Sequence, residues 1–325
     1  MNARAIVVGG TLLAALLVAP LVVDGHVLSI LIVALFLAAA GQAWNVMMGF
    51  AGQLSLGHAL YVGLGAYVSA ALFVHLGIGP WLGMVAAVLV CVAAAAAIGV
   101  LAFRFGVAGV YFALLTIAFA EFTRIGFDHF AWVGGSRGLF LPVAQRAHDD
   151  LWALRGQPAM FYYVLLAYGV AVLALCRALL HGRIGFHWRA VREDPAASEA
   201  LGVNLFGAKM RAVMLSAALT APVGVLHAFY YNNLFPEQIF SINRSIELIL
   251  GPIIGGIGTL AGPIVGAFAL TFLGEGLNAA MSAIGLDLPG TKHVFYGVCL
   301  LAVVIWLPDG IWPPLARRLG LEKRP

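Results

Sequence analysis

Long apolar runs dominate this chain and constrain its fold more than any other feature. Ten of them follow one another, near residues 5–23, 27–48, 54–75, 81–103, 108–127, 160–180, 211–231, 245–257, 263–283 and 293–308. A helix needs roughly 20 apolar residues to cross the hydrocarbon layer of a bilayer, which is about 30 Å thick. Only 10% of the residues are charged, whereas soluble domains carry roughly 25%. We therefore predict an all-α polytopic membrane protein with eight to ten transmembrane helices, forming one domain over residues 1–325.

Two glycine-rich segments, 49–65 and 251–266, interrupt this pattern. Glycine and proline inside an apolar run predict a helix that is broken or re-entrant. Two interpretations stay open: the freed backbone groups line a pathway, or the small residues only let helices pack closely. Our candidates for lining or hinging a pathway are three polar residues of the first segment and three glycines of the second, namely Gln53, Ser55, His58, Gly256, Gly258 and Gly262.

Charged and polar residues within the spans have structural interpretations as well as functional ones. Glu121 and Arg124 are one helical turn apart, so we expect them to pair with each other. Glu247 follows the predicted start of the eighth span, where the helix dipole stabilises a carboxylate. Ser55 and His58 are also one turn apart, which would suit a hydrolase, but the turn typical of a nucleophilic serine is missing around them.

Several classes of function lack their sequence signatures. The chain has no phosphate-binding G-x-x-x-x-G-K-[ST] loop, so we expect no ATP hydrolysis by this chain. The nine histidines form no metal-binding pair, and we predict neither a metal nor a cofactor. The net charge of +4 has no basic stripe, which argues against nucleic-acid binding. The cysteines at 91, 176 and 299 lie in apolar runs and are expected to be packed thiols.

The stretch VREDPAASEALGVN, residues 191–204, predicts a short helix that faces water. Asp194 suits an N-cap, Pro195 suits the first helical position, and Gly202 suits a left-handed end. Ala197 and Leu201 would form a small apolar patch with charged neighbours, a pattern typical of a docking surface. The residues that we assign to this surface are Arg192, Glu193, Asp194, Ala197, Glu199, Leu201 and Gly202.

Lysine and arginine predict the orientation in the membrane, because short cytoplasmic loops carry an excess of both. Ten spans with the N-terminus inside place twelve of the eighteen basic residues in the cytoplasm, including those of loop 181–211. Loop 128–159, which contains the GGSRG turn at 134–138, would then lie outside the membrane. Both termini are predicted to be cytoplasmic.

Five sequence blocks together resemble a known family. They are GFAGQLSLGHALYVGLGAY (49–67), GVYFALLTIAFAE (109–121), GGSRGL (134–139), the segment from GRIGFHWRAVREDP to GVLHAFY (182–230), and SIELILGPIIGGIGTLAGPIVGAFAL (245–270). In this order they resemble bacterial branched-chain amino acid ABC transporter permeases of the LivM type. The related urea-type permeases share these motifs.

The resemblance implies a permease of the bacterial inner membrane, which is not itself an enzyme. It implies a heterodimer with a second homologous permease, two cytoplasmic ATPase subunits, a periplasmic substrate-binding protein and alternating access. Loop 181–211 would be the coupling loop, with Glu199, Ala200 and Gly202 near a degenerate form of the family's coupling motif, and loop 128–159 would be periplasmic. An ion-coupled secondary amino acid carrier and a urea or amide permease are the alternatives.

Overall fold

The part of the chain that the structure describes contains fourteen α-helices and one small antiparallel strand pair. The computed structural model of the chain describes residues 3–142, 149–283 and 291–321. Arg146, Lys323 and Arg324, which entered the charge count, lie outside them. The helices are α1 (Ala3–Val22), α2 (Gly25–Asn45), α3 (Ala59–Leu76), α4 (Pro80–Arg104), α5 (Val110–His129), α6 (Pro158–His181), α7 (Arg183–Glu193), α8 (Pro195–Ala200), α9 (Leu205–Tyr231), α10 (Pro236–Ile239), α11 (Ile242–Gly255), α12 (Gly262–Ala283), α13 (Thr291–Trp306) and α14 (Trp312–Arg318).

Seven helices in the described part of the chain are long and apolar enough to cross a membrane. They are α2 with the π-helical turn Val46–Phe50 that continues it, α3, α4, α5, α6, α9 and α12. Two shorter apolar helical segments, Val7–Val22 and Val294–Val303, lie in α1 and α13. This arrangement confirms the prediction of an all-α polytopic membrane protein.

Three helices form the centre of the bundle. Most residues of α2, α3 and α9 are buried, whereas only a minority of those of α4, α5 and α12 are. The close approach of α3 and α9 depends on glycine, because a methyl group at Gly65 would lie 2.3 Å from the Ala221 carbonyl oxygen. The exposed residues of α4, such as Leu82, Val85 and Leu89, are apolar, as expected for a surface in contact with lipid.

The bundle has two ends that differ in structure. At one, which we name the α8 end, α7 and α8 pack beside the start of α9, and the Trp188 indole N–H donates to the Ala208 carbonyl oxygen at 2.9 Å. At the other, the loop end, strand β1 (Leu139–Phe140) pairs with β2 (Asn233–Leu234). The GGSRG segment there forms the predicted turn, with Arg137 exposed.

Helix α11 is shorter than a full span. Its 14 residues measure about 21 Å at 1.5 Å per residue, less than the hydrocarbon layer. It begins at Ile242, capped by the Ser241 hydroxyl, which accepts from the Arg244 N–H at 3.1 Å. The prediction that Glu247 lies in the first turn of its span is therefore wrong, because the helix starts earlier. Glu247 lies in the second turn and pairs with Arg244.

Two other predictions about side chains are confirmed. The Arg124 Nε donates to both carboxylate oxygens of Glu121 at 3.0 Å. The thiols of Cys91 and Cys176 are buried, and that of Cys299 is half-buried.

Candidate functional site

The short helix α8 has the ends that its sequence predicts. The Asp194 carboxylate accepts from the Ala197 N–H at 3.0 Å, and Pro195 occupies the first helical position. Gly202 follows the helix with a φ of +84°, which a residue with a side chain adopts only at a cost. Both ends are thus fixed by local bonds, so α8 keeps its shape without support along its outer face.

All seven residues assigned to the docking surface are exposed on or beside α8. Leu201 is 85% exposed, although a leucine side chain is usually buried. Glu193, Asp194, Ala197, Glu199 and Gly202 are exposed around it. Only Ser198 faces inward from α8. The α8 end therefore presents a rigid apolar contact with carboxylates at its edge.

Arg192 differs from the other six, because this exposed residue directs its guanidinium group towards the bundle. Its Nη1 donates to the Gly49 carbonyl oxygen, in the turn that ends α2. A methyl group at Gly52 would lie 3.2 Å from the Arg192 Cγ, and one at Gly258 would clash with its Nη1. Arg192 therefore connects both glycine-rich segments to the part of the chain that precedes α8.

The first glycine-rich segment is extended between α2 and α3, over residues 51–58, and we name it break A. Gln53, Ser55 and His58 are all buried in it. The His58 Nε2 donates to the Thr220 hydroxyl at 2.8 Å, since that hydroxyl gives its own proton to the Ser216 carbonyl. The Ser55 hydroxyl has no hydrogen-bond partner among the described residues, so it is not bonded to His58.

Side chains of other helices bind the backbone of break A. The Thr116 hydroxyl on α5 accepts from the N–H groups of Leu56 and Gly57 at 3.1 and 3.2 Å. The Ser245 hydroxyl on α11 accepts from the Ala59 N–H at 3.0 Å. Most backbone N–H groups freed by the missing helical turns are therefore bonded within the protein.

The second glycine-rich segment turns the chain between α11 and α12, over residues 256–261, and we name it break B. Gly256 and Gly258 have φ values of +125° and +79°, and Gly262 begins α12. The Thr259 hydroxyl donates to the Gly256 carbonyl at 2.8 Å and accepts from the Gly262 N–H at 3.0 Å. Break B is thus closed mainly by its own residues.

The turn that leads from α2 into break A meets break B at the α8 end. A methyl group at Gly49 would lie 2.7 Å from the Gly258 nitrogen, so only glycine allows this approach. Asn45, at the end of α2, accepts from the Gly258 N–H at 2.8 Å and donates to the Thr259 carbonyl at 2.9 Å. Asn45 and Arg192 therefore connect α2, break B and the α8 segment.

No group of three histidine, cysteine or acidic side chains that could hold a metal ion occurs within residues 3–142, 149–283 and 291–321.

Comparison with known proteins assigns this architecture to a family. The family described as "Branched-chain amino acid transport system / permease component" matches residues 26–304, which include both breaks and α8. The chain belongs to this family of permeases. No solved structure matches the chain.

The relatives of this permease differ in the solutes that they are named for. It is 27% identical to the high-affinity branched-chain amino acid permease LivM of Escherichia coli K12, over 87% of this chain and 69% of LivM. It is 27% identical to LivH of the same organism over 44% of each chain. It is 31% identical to the nucleoside ABC transporter permease NupC of Lactococcus lactis, over 40% of this chain and 38% of NupC.

Sequence reasoning missed some residues of this site. The loop predicted at 181–211 contains helix α7, in which Ile184, Trp188 and Val191 recur at the spacing of one helix face. Asn45 was also missed, because a single amide inside an apolar run gives no signal of its partner 213 residues later. The inward direction of Arg192 has no sequence signal either.

Proposed function

We propose that this permease is the transmembrane subunit of an ATP-driven importer for branched-chain or related hydrophobic amino acids. It would pair with a second homologous permease and work with two cytoplasmic ATPase subunits and a periplasmic substrate-binding protein. It would lie in the bacterial inner membrane with both termini and the α8 end in the cytoplasm. The observation that carries this proposal is the exposed, capped helix α8.

Helix α8 suits a surface that receives force from another protein. A partner that seats Leu201 and Ala197 would bury apolar area that is now exposed, which favours association. The carboxylates of Glu193 and Glu199 at the edge would set orientation more than affinity. Because the caps hold both ends of α8, a push on the helix is transmitted rather than absorbed by a flexible loop.

Arg192 and Asn45 supply a route from α8 into the membrane. Movement of α8 would carry Arg192 with it, and the bond to the Gly49 carbonyl would transmit this movement to the end of α2. Asn45 would pass it on to break B through Gly258 and Thr259. We propose that this linkage switches the pathway between outward and inward access, with ATP binding by the partner subunits as the source of energy.

The substrate assignment rests on relatives, since a permease named for branched-chain amino acids matches 87% of this chain. NupC, which is named for nucleosides, matches 40% of it. The substrate-binding protein, which is a separate chain, would select the solute first.

Substitutions on α8 test this function. We expect Leu201→Asp and Glu199→Lys to abolish copurification with the ATPase subunits, or to leave ATP hydrolysis running without uptake of leucine. The matched control is Leu151→Asp, because Leu151 is also exposed, at 54%, but lies at the loop end. Normal uptake by both α8 variants, at normal protein levels, would refute the docking role.

A further inference from the structure

An ion pair lies on the exposed face of α11, away from both breaks. The Arg244 Nη1 donates to the Glu247 carboxylate at 3.0 Å, and its Nη2 donates to the His227 Nε2 at 2.7 Å. The Arg244 and Glu247 side chains are 23% and 30% exposed. The pair is therefore neither sealed in the core nor fully outside the protein.

The depth of this pair follows from its neighbours. Ser245, next to Arg244, binds the Ala59 N–H, and the adjacent His58 binds Thr220, near the middle of the 27-residue helix α9. His227 is seven residues further towards the loop end, or roughly 10 Å along the helix. The pair thus lies in the loop-end half of the membrane layer.

Exposed charge at this depth indicates that the surface does not face lipid. A charge in contact with hydrocarbon is costly, so intramembrane ionised groups face a protein interior or a water-filled cavity. The exposed side of α11 carries Asn243 beside the Arg244–Glu247 pair, together with Ile242 and Ile246. Charge alone does not single out α11, because Glu121 and Arg124 on α5 form another exposed ion pair.

A second observation points to a ligand at this place. His227 is only 9% exposed, and its Nδ1 has no hydrogen-bond partner among the described residues. Because Nε2 accepts from Arg244, the neutral ring carries its proton on Nδ1, which is thus a buried donor without an acceptor. His227 and Arg244 line a cavity of about 20 Å³, room for roughly one water molecule.

We propose that the Arg244–Glu247 pair contacts the transported amino acid. The guanidinium group would bind the α-carboxylate, for which its geometry is suited, and the Glu247 carboxylate would bind the α-ammonium group. The solute would pass over the open face of α11, because the cavity itself is too small for it. This inference rests on the proposed function and names the recognition chemistry of its pathway.

The pairing also explains how the site stays neutral when it is empty. Without solute, Arg244 and Glu247 neutralise each other, which avoids an unpaired charge in a medium of low polarity. A zwitterion replaces this one ion pair by two and adds no net charge. An apolar side chain of the solute would then contact Ile246, which is exposed on the same face.

Charge removal tests the proposal in the complete complex reconstituted into vesicles. We expect Arg244→Gln and Glu247→Gln to lower the uptake of leucine about ten-fold or more, while assembly and ATP hydrolysis remain. The matched control is Glu121→Gln, which disrupts another i, i+3 pair, that of Glu121 with Arg124 on α5. Uptake at the wild-type rate in both α11 variants would overturn the proposal.

Thiol labelling provides a second test that does not depend on transport. In a Cys299→Ser background, we expect Asn243→Cys to react with a membrane-impermeant thiol reagent and to be protected by saturating leucine. The lipid-facing Leu89→Cys should stay unreactive, and the loop-end Ser136→Cys should react regardless of leucine. An unreactive or unprotected Asn243→Cys would overturn the proposal.

The two tests separate this inference from the proposed function. A wild-type complex that fails to assemble, or that takes up leucine without ATP, would contradict the proposed function. A wild-type complex that works normally, with α11 variants that also work normally, would contradict only the role of Arg244 and Glu247.

Discussion

The two breaks resemble each other in sequence, but the protein closes them in different ways. In break A, the freed N–H groups are bound by Thr116 and Ser245, which lie on two other helices. In break B, Thr259 closes the turn within the segment. Break A therefore depends on the packing of several helices, and break B depends on one hydroxyl and the linkage through Asn45.

The two breaks also differ in burial, and break A is the more buried of the two. Alternate residues of break A, at positions 51, 53, 55 and 57, are buried, as in an extended strand inside a core. Residues 257–261 of break B are only half-buried. A change of conformation in break A would disrupt contacts of α5 and α11, whereas break B can change with fewer losses. We therefore expect break A to be an anchor and break B to be a hinge.

The largest expected effect is that of Gly57→Ala in break A. The added methyl group would lie 2.0 Å from the Thr116 carbonyl oxygen, so α5 would have to move away. We expect a destabilisation of about 3 kcal/mol or more, seen as little folded protein in the membrane and a lower Tm in detergent. Gly126→Ala on α5 is the control, since nothing lies within 4 Å of that site. Equal protein levels and Tm in both variants would refute the anchor.

The next largest effect is expected for Asn45→Ala, which removes the bonds between the end of α2 and break B. It leaves the Gly258 N–H and the Thr259 carbonyl without their partner, at a cost of about 2 kcal/mol. We expect folded protein that hydrolyses ATP but takes up little leucine, since the linkage to break B is lost.

Another asparagine of similar chemistry provides the control for Asn45. Asn204 caps α9 at the α8 end, and Asn204→Ala should cost about 1 kcal/mol without loss of uptake. If Asn204→Ala lowered uptake as much as Asn45→Ala, the defect would reflect stability rather than the linkage.

The positions of the two breaks could be predicted from the sequence, but the different ways in which they are closed could not. Span lengths and the positions of both breaks follow from hydropathy and from glycine, which act locally and can be read from one segment. The caps of α8 could be predicted for the same reason. Thr116 and Ser245 could not, because each is a single hydroxyl in a distant helix whose partner is set by tertiary packing.

Glu247 illustrates the same limit in a different way. Its predicted role as a first-turn carboxylate depended on a helix start three residues too late. The end of a half-buried helix is set by the tertiary structure around it. Here that structure is the segment between β2 and α11. The direction of the Arg192 side chain was likewise decided by the approach of Gly49 and Gly258, which no local pattern reveals.

Replacing the threonine that binds each break gives the sharpest comparison among effects of intermediate size. Thr116→Val on α5 removes the acceptor for two N–H groups of break A and should lower the free energy of unfolding by about 2 kcal/mol. Thr259→Val in break B affects half-buried groups that water can reach, so we expect about 1 kcal/mol or less. Uptake per ATP hydrolysed should fall more in Thr259→Val. If Thr259→Val lost more stability and Thr116→Val lost more uptake, break B would be the anchor and break A the hinge.

The smallest effect is expected where break A touches the α8 segment. Gly52→Ala and Gly202→Ala both place a side chain at positive φ, +69° and +84°, at a cost of about 1 kcal/mol each. Nothing lies within 4 Å of the added methyl group at Gly202, whereas at Gly52 it would press on the Arg192 Cγ at 3.2 Å. The two variants should therefore lose similar stability, and only Gly52→Ala should lower uptake per ATP hydrolysed. If their uptake is equal, Arg192 does not transmit movement from α8, and break A is connected to the ATPase subunits by another route.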